Sequence, residues 1–312
     1  VSEGALARPG TAPAAAGDDL LTRWRRRYLR SEGIRGWCLS APALFVVIAA
    51  LAVPIGLLVL FSFWTQDYVH IDTSLTLHNY QLIARRTVYL EVFLRSVAIS
   101  GLVTLMTVTL AYPLAYYVAF DVTRKKMVWL ILITLPFWTS YLLRVFAWKI
   151  ILGYGGVVNS GLQWLGLIEE PLSFLLYNPF AVILTLAHAW AAFAILPIYV
   201  SLEKIDRSLL EAATDLGDGP IERFWRVTFP LSMPGVIAAA IVIFIPTVGD
   251  YVTPALVGGP SGLMIANLIQ TQFSKANDWP LGAALSIASM VTVTLIACLF
   301  VWFSKKATAR IA

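Results

Sequence analysis

The chain has 312 residues, 59% of them hydrophobic and only 13% charged, about half the charged share usual in soluble domains. A single water-filled surround is excluded, because so much apolar surface cannot be hidden in one soluble core. The net charge of +5 would suit nucleic acid or an anionic membrane surface, and the placement of the basic residues at the ends of hydrophobic runs favours the membrane.

Taken in chain order, residues 1–36 are rich in Ala, Gly and Pro at first and then in arginine: Arg8, Arg23, Arg25, Arg26, Arg27, Arg30 and Arg35. Low hydrophobicity predicts a disordered tail over the first 20. The apolar stretch behind the arginines is longer than the roughly 7–15 residues of a signal-peptide core, so a retained span is expected. About 20 apolar residues suffice to cross a bilayer as a helix. Six stretches qualify: 37–64, 92–120, 127–152, 179–202, 232–256 and 281–304. Cys38 and Cys298 fall inside spans and offer neither a disulfide framework nor a metal spacing. Trp64 and Trp302, at span ends, read as interface anchors.

The loops set the orientation. Seventeen of the 23 basic residues gather on one side: those of the tail, Arg124, Lys125, Lys126, Lys204, Arg207, Arg223, Arg226, Lys305, Lys306 and Arg310. The opposite loops hold only Arg85, Arg86 and Lys275, with Arg95 at a span edge. By the positive-inside rule, both termini and the 203–231 loop are expected to be cytoplasmic. The expected fold is an all-α polytopic membrane protein. Its parts are a tail at 1–36, a first helix at 37–64, a five-helix core at 92–304 and a tail at 305–312.

The 203–231 loop has its own local logic. Asp206 or Ser208 can cap a helix with Leu209, Ala212, Ala213 and Leu216 at helical spacing. Gly217 suits a left-handed helix end, and Gly219-Pro220 prevents simple continuation. A second short helix can start near Pro220, with Phe224, Trp225 and Val227 as its apolar face and Pro230 as the break before span five. One reading is an amphipathic loop on the headgroups; the other is a rigid hairpin that receives a partner.

Within the spans, ionisable residues cost about 2.5–3.5 kcal/mol each at the helix centre, so they point to a cavity or a partner. Arg144 and Lys149 interrupt span three, Asp250 lies in span five, and His188 in span four. Pro246, Gly249 and Pro254 loosen the backbone around Asp250 and suit a water-lined path. Trp138, Tyr141, Phe146, Trp148 and Tyr251 can offer cation-binding faces. Asp250 paired with Arg144 or Lys149, locking helices together, is the structural alternative.

No Gly-x4-Gly-Lys-[Ser/Thr] phosphate loop is present; Gly153-Tyr154-Gly155-Gly156 lacks the following Lys-Ser/Thr. Nor do the spans hold Ser-Lys, Asp-Asp or His-Glu-x2-His arrangements. An ion-coupled secondary transporter would explain Asp250 and the loosened span five, but not the 203–231 loop.

The order Glu211-Ala212-Ala213, three residues, Gly217, nine residues, Val227-Thr228-Phe229-Pro230 resembles the EAA loop of ABC importer permeases, Glu-Ala-Ala-x3-Gly-x9-Ile-x-Leu-Pro. Phe229 departs from the usual leucine. The resemblance implies that Glu211, Ala212, Ala213 and Gly217 contact a separate ATPase subunit. It further implies an assembly of two ATP-binding subunits, a second homologous permease and an extracytoplasmic binding protein in a bacterial inner membrane. ATP and Mg would be used by the partners, with no cofactor bound by this chain and no nucleic acid involved.

A finer resemblance lies in Ile245–Pro260, Asn277-Asp278-Trp279-Pro280 and Leu143-Arg144-x2-Ala147-Trp148, which are similar to spermidine/putrescine importer permeases. Asp250 stands where a glutamate is commoner, which keeps the charge and shortens the reach. The implied function is alternating-access import of a small organic cation, a polyamine first, with another small amine, an amino-acid derivative or an opine as the alternative. Asp250, Tyr251, Arg144, Trp138, Tyr141 and Trp148 are the candidate pathway. External loops around 65–91, 153–178 and 257–280, with Glu169 and Glu170, would meet the binding protein.

Overall fold

The computed structural model describes residues 31–68 and 70–308. The arginines of residues 1–30 and Arg310 lie outside them, as do the side chains of Arg35, Cys38 and Lys305. The chain divides into two units, 1–57 and 58–312. The first contributes most of helix α1 (Glu32–Ser62), whose segment from Leu39 is apolar enough to cross a membrane. Two internal prolines, Pro42 and Pro54, are tolerated there as transmembrane helices commonly tolerate them.

The second unit begins with a short antiparallel hairpin, β1 (Thr65–Asp67) and β2 (His70–Asp72), turning at Tyr68 with a positive φ of 56°. Helix α2 (His78–Arg85) follows, and its Asn79 donates to the carbonyls of Ser62 and Trp64. Four spans then build the bundle: α3 (Thr87–Tyr116), α7 (Pro179–Glu203), α10 (Phe229–Val248) and α12 (Trp279–Thr308). With α1 from Leu39 onward they make five helices long and apolar enough to span a membrane.

The expected third span differs. It is broken into α4 (Lys126–Thr134), a 3-10 turn (Leu135–Trp138) and α5 (Tyr141–Ile151), bent by 80°. Pro136 supplies no N–H, and Thr139 turns extended. A hydropathy window cannot see this bend, because both arms are apolar. Counted as one span, the pair brings the total to six. Span five also ends earlier than residue 256: α10 stops at Val248 and Gly249 forms its C-cap.

Short elements fill the remaining connections. Helix α6 (Val157–Trp164) lies between α5 and α7, and α11 (Ile265–Thr271) precedes α12. The core sits where α3, α7 and α10 meet, around Val103, Leu186, Ala194, Ile198, Ala239 and Ile243. In lipid there is no hydrophobic drive between helices, so close packing of small residues takes over. Gly235 shows how close: a Cβ there would lie 2.5 Å from the Pro197 carbonyl and 2.5 Å from Ser201 Cβ. A polar cross-tie joins α3 to α10, Tyr112 Oη with Ser232 Oγ at 2.8 Å.

Candidate functional site

Two places concentrate the sequence signals. The first is the connection from α7 to α10. Asp206 caps helix α8 (Arg207–Asp215), its carboxylate accepting from the Ser208 N–H at 3.0 Å. That backbone bond holds the Asp206 carboxyl below its ordinary range. The helix ends in a Schellman motif: Gly217 N–H bonds Thr214 O at 2.9 Å and Asp218 N–H bonds Ala213 O at 3.0 Å. Gly217 makes this possible with φ +90°. Its side is open, with nothing within 4 Å of an added Cβ.

Helix α9 (Pro220–Arg223) starts at Pro220, with Gly219 as its N-cap. Sequence reasoning missed the two ties that close this hairpin. Arg223 donates to Thr214 Oγ1 at 2.9 Å, and Arg226 pairs with Asp218 at 2.6 Å. Pro230 is not the break it resembles. A π-helical turn (Phe224–Thr228) carries α9 into α10, with the Phe229 N–H reaching back to Phe224 O. This wider turn lets Pro230 sit within the first turn of α10 without interrupting the helix.

The hairpin's faces are unequal. Leu209, Leu216, Ile221 and Trp225 are exposed, Leu216 at 87%. Glu211, Ala212 and Gly217 are exposed with them, whereas Ala213 is buried in its own chain. The inner side rests on aromatic rings. Phe224 meets Tyr112 at 5.8 Å, Tyr116 at 6.2 Å and Phe229 at 5.9 Å. Phe229 thus replaces an aliphatic contact with a ring in a ring cluster. Nearby, Lys126 Nζ bonds both oxygens of Glu203, at 2.9 and 2.8 Å, and Ala119 O at 2.7 Å. This ties the start of α4 to the π-helical turn after α3 (Tyr117–Asp121) and to the last residue of α7.

The second place is a cavity of about 470 Å³ at the other end of α10. Beyond Gly249 the chain is non-helical for two residues, Asp250 and Tyr251. Asp250 caps the next helical turn, accepting from Val252 N–H at 2.9 Å. The Tyr251 carbonyl accepts from Ala255 N–H at 3.3 Å and from the buried Asn267 of α11 at 2.7 Å. Tyr141 donates its hydroxyl proton to Asp250. Having only one proton, that hydroxyl must accept from Thr253, its other partner.

Neither alternative ion pair forms. Asp250 is not within 4.0 Å of Arg144 or Lys149 among the described residues. Arg144 instead donates to Ala189 O at 3.0 Å, Phe137 O at 2.9 Å and Thr139 O at 3.0 Å. Lys149 lies over the Tyr177 ring, 5.9 Å from its centre. Backbone carbonyls and a ring outcompete the carboxylate because a bent helix leaves carbonyls in need of donors.

Four of the six candidate pathway residues line one cavity: Tyr141, Arg144, Asp250 and Tyr251. Trp138 is 78% exposed and Trp148 donates to His188 at 3.1 Å; neither lines it. Trp190 and Phe193 of α7 complete the wall and were not singled out by sequence. Their one-turn spacing in span four was the available signal.

Comparison with known proteins agrees with this architecture. The family description "Binding-protein-dependent transport system inner membrane component" matches residues 33–309. The chain is 37% identical over 236 residues to the spermidine/putrescine transport system permease protein PotB of Escherichia coli K12, covering 75% of this chain and 85% of that protein. It is 34% identical over 252 residues to PotB of Haemophilus influenzae, covering 80% and 87%. The E. coli inner membrane ABC transporter permease protein YdcU is 33% identical over 248 residues, covering 75% and 78%. Among solved structures, a bacterial ABC transporter involved in alginate import superposes with a TM-score of 0.67 at 19% identity, covering 91% of this chain and 99% of that one. The alginate transporter in complex with its pentasaccharide-bound periplasmic protein gives 0.68 at 19%, covering 93% and 98%; both matches speak to the fold alone. The chain therefore belongs to the binding-protein-dependent inner-membrane components, the permease subunits of ABC importers.

Proposed function

We propose that this permease subunit carries a polyamine, putrescine or spermidine, across the bacterial inner membrane by alternating access. The observation that supports this reading most is Asp250, a carboxylate unpaired by any cation among the described residues, facing a cavity walled by Tyr141, Trp190, Phe193 and Tyr251. A protonated amine finds there a charge and several ring faces. Arg144 lines the same cavity, but three of its bonds go to backbone carbonyls and its guanidinium lies 5.1 Å from the Phe137 ring centre, while its buried Nε–H has no partner. The names of the PotB relatives point the same way.

In this reading the exposed face of the α8–α9 hairpin, with Glu211, Ala212 and Gly217, receives an ATPase subunit. Ala213 acts from behind by letting α8 pack tightly. Two such subunits bind ATP and Mg, and a second permease completes the pathway. An extracytoplasmic binding protein delivers the substrate to the opposite surface, and both termini are cytoplasmic. Closure of the ATPase pair pushes the hairpin, and α9, continuous with α10, transmits the push to the Asp250 end.

The experiment is uptake of labelled putrescine and spermidine by the reconstituted complex, with Asp250→Asn compared with the unaltered chain. Weakened uptake from an intact complex supports the cation site. Loss of the assembled complex, or uptake equal to that of the unaltered chain, counts against it.

A further inference from the structure

The guanidinium of Arg144 touches both walls of the cavity. Two of its bonds go to Phe137 O and Thr139 O, at 2.9 and 3.0 Å, where the 3-10 turn ends and α5 begins. The third goes across to Ala189 O of α7 at 3.0 Å. Its face lies 5.1 Å from the Phe137 ring centre. A chain that bends by 80° in a membrane exposes carbonyls that lipid cannot satisfy. A planar fork with five donors is the side chain suited to meeting several at once.

The consequence reaches Asp250. Tyr141 opens α5 one turn before Arg144, and its hydroxyl holds the Asp250 carboxylate while accepting from Thr253. Where α5 starts, and at what angle it leaves the corner, decides where that hydroxyl falls. We infer that Arg144 is a positioning residue: it braces the corner of the broken third span against α7 and so presents Tyr141 to Asp250. It is thereby not the ion-pair partner of Asp250. This rests on the reading of Asp250 as the cation site, and it differs from a general stabilising role in requiring that Arg144 act through that carboxylate.

The test uses the complete complex in proteoliposomes, with Arg144→Lys, Asp250→Asn, the double variant and the unaltered chain. Lysine keeps the charge but gathers its donors on one nitrogen, which cannot bridge the corner and α7 as the separate Nη1 and Nη2 of arginine do. Arg144→Lys is expected to speed amide exchange in 137–141 selectively and to lower labelled putrescine uptake about tenfold, as small misplacements of reacting groups do. In the Asp250→Asn background the same substitution should lower uptake by less than about twofold, because the group it positions is already gone.

Unchanged exchange with unchanged uptake in Arg144→Lys overturns the brace. Effects of the two substitutions that multiply show Arg144 acting independently of Asp250, and overturn the positioning role. If Arg144→Lys and Arg144→Gln both fail to assemble, the residue belongs to folding and the proposal falls. Normal uptake by Asp250→Asn alone sinks the cation-site reading and, with it, the link from Arg144 to that site; faster exchange in Arg144→Lys would then leave only the corner contact standing.

Discussion

The α8–α9 hairpin and the Asp250 cavity sit about 30 Å apart along α10, judged from its 20 residues at 1.5 Å rise, and they are built in opposite ways. The hairpin is local. Its cap, its Schellman turn and its Arg223–Thr214 and Arg226–Asp218 ties all join residues within a dozen positions. The cavity is assembled from three distant stretches, and its hydrogen bonds join Tyr141 to Asp250 and Arg144 to Ala189. If the hairpin receives an ATPase subunit as proposed, a surface that must keep its shape while pushed gains from local closure. A site that must open and close gains from walls that belong to different spans.

Substitutions can break or sharpen that contrast, and the largest effect is expected at the hairpin. Gly217→Asp forces a side chain into φ +90°, a strain of about 1–2 kcal/mol in left-handed backbone, and sets a charge on the exposed face. ATP-driven uptake should fall to background while membrane insertion, followed by quantitative blotting, stays normal. Uptake at the unaltered rate would remove the hairpin from coupling.

Next comes the cavity. Asp250→Asn keeps the shape and removes the charge, and uptake of a dication should drop by about tenfold or more if one close charge contact is lost. Uptake of the same label by Asp250→Glu should lie between the two, since charge is kept and reach altered. Equal uptake by all three would mean that the carboxylate does not meet the substrate.

A smaller effect is expected between the two regions. Gly235→Ala drives a methyl into the Pro197 carbonyl and Ser201, costing about 1–3 kcal/mol as overpacking does. The melting temperature of the purified complex should fall. An unchanged value would show that α7 and α10 can separate freely there. The smallest concerns Asp218→Asn, which breaks an ion pair whose arginine is 70% exposed. Such pairs contribute at most about 1 kcal/mol, less at high salt. Uptake should change little, and a large loss would give the pair a part in coupling.

The same contrast explains what the sequence made legible. In the hairpin, Asp206, Gly217 and Gly219-Pro220 each dictate a local geometry, and each appears where expected. Pro230 misleads because its usual effect is absorbed by the π-turn just upstream, and nothing in residue type signals such a turn. The spans follow from hydropathy alone, yet hydropathy is blind to the bend at Leu135–Trp138 and to the early stop at Val248. The Arg144–Asp250 pair was a reasonable expectation from charge. It fails because Arg144 finds two carbonyl acceptors at the bend and a third on α7 that no count of charges reveals. Trp138 and Trp148 share the aromatic character of Tyr141 but not its register, and only the corner geometry separates them.

The central claim is that this chain is the membrane conduit of a polyamine importer driven through its α8–α9 hairpin. The most direct measurement is uptake of labelled putrescine and spermidine in cells lacking only this chain, with and without its restoration. The account expects uptake of at least one to be lost, then rescued by the intact chain and not by Gly217→Asp. Undiminished uptake of both without the chain, or full rescue by Gly217→Asp, would contradict it.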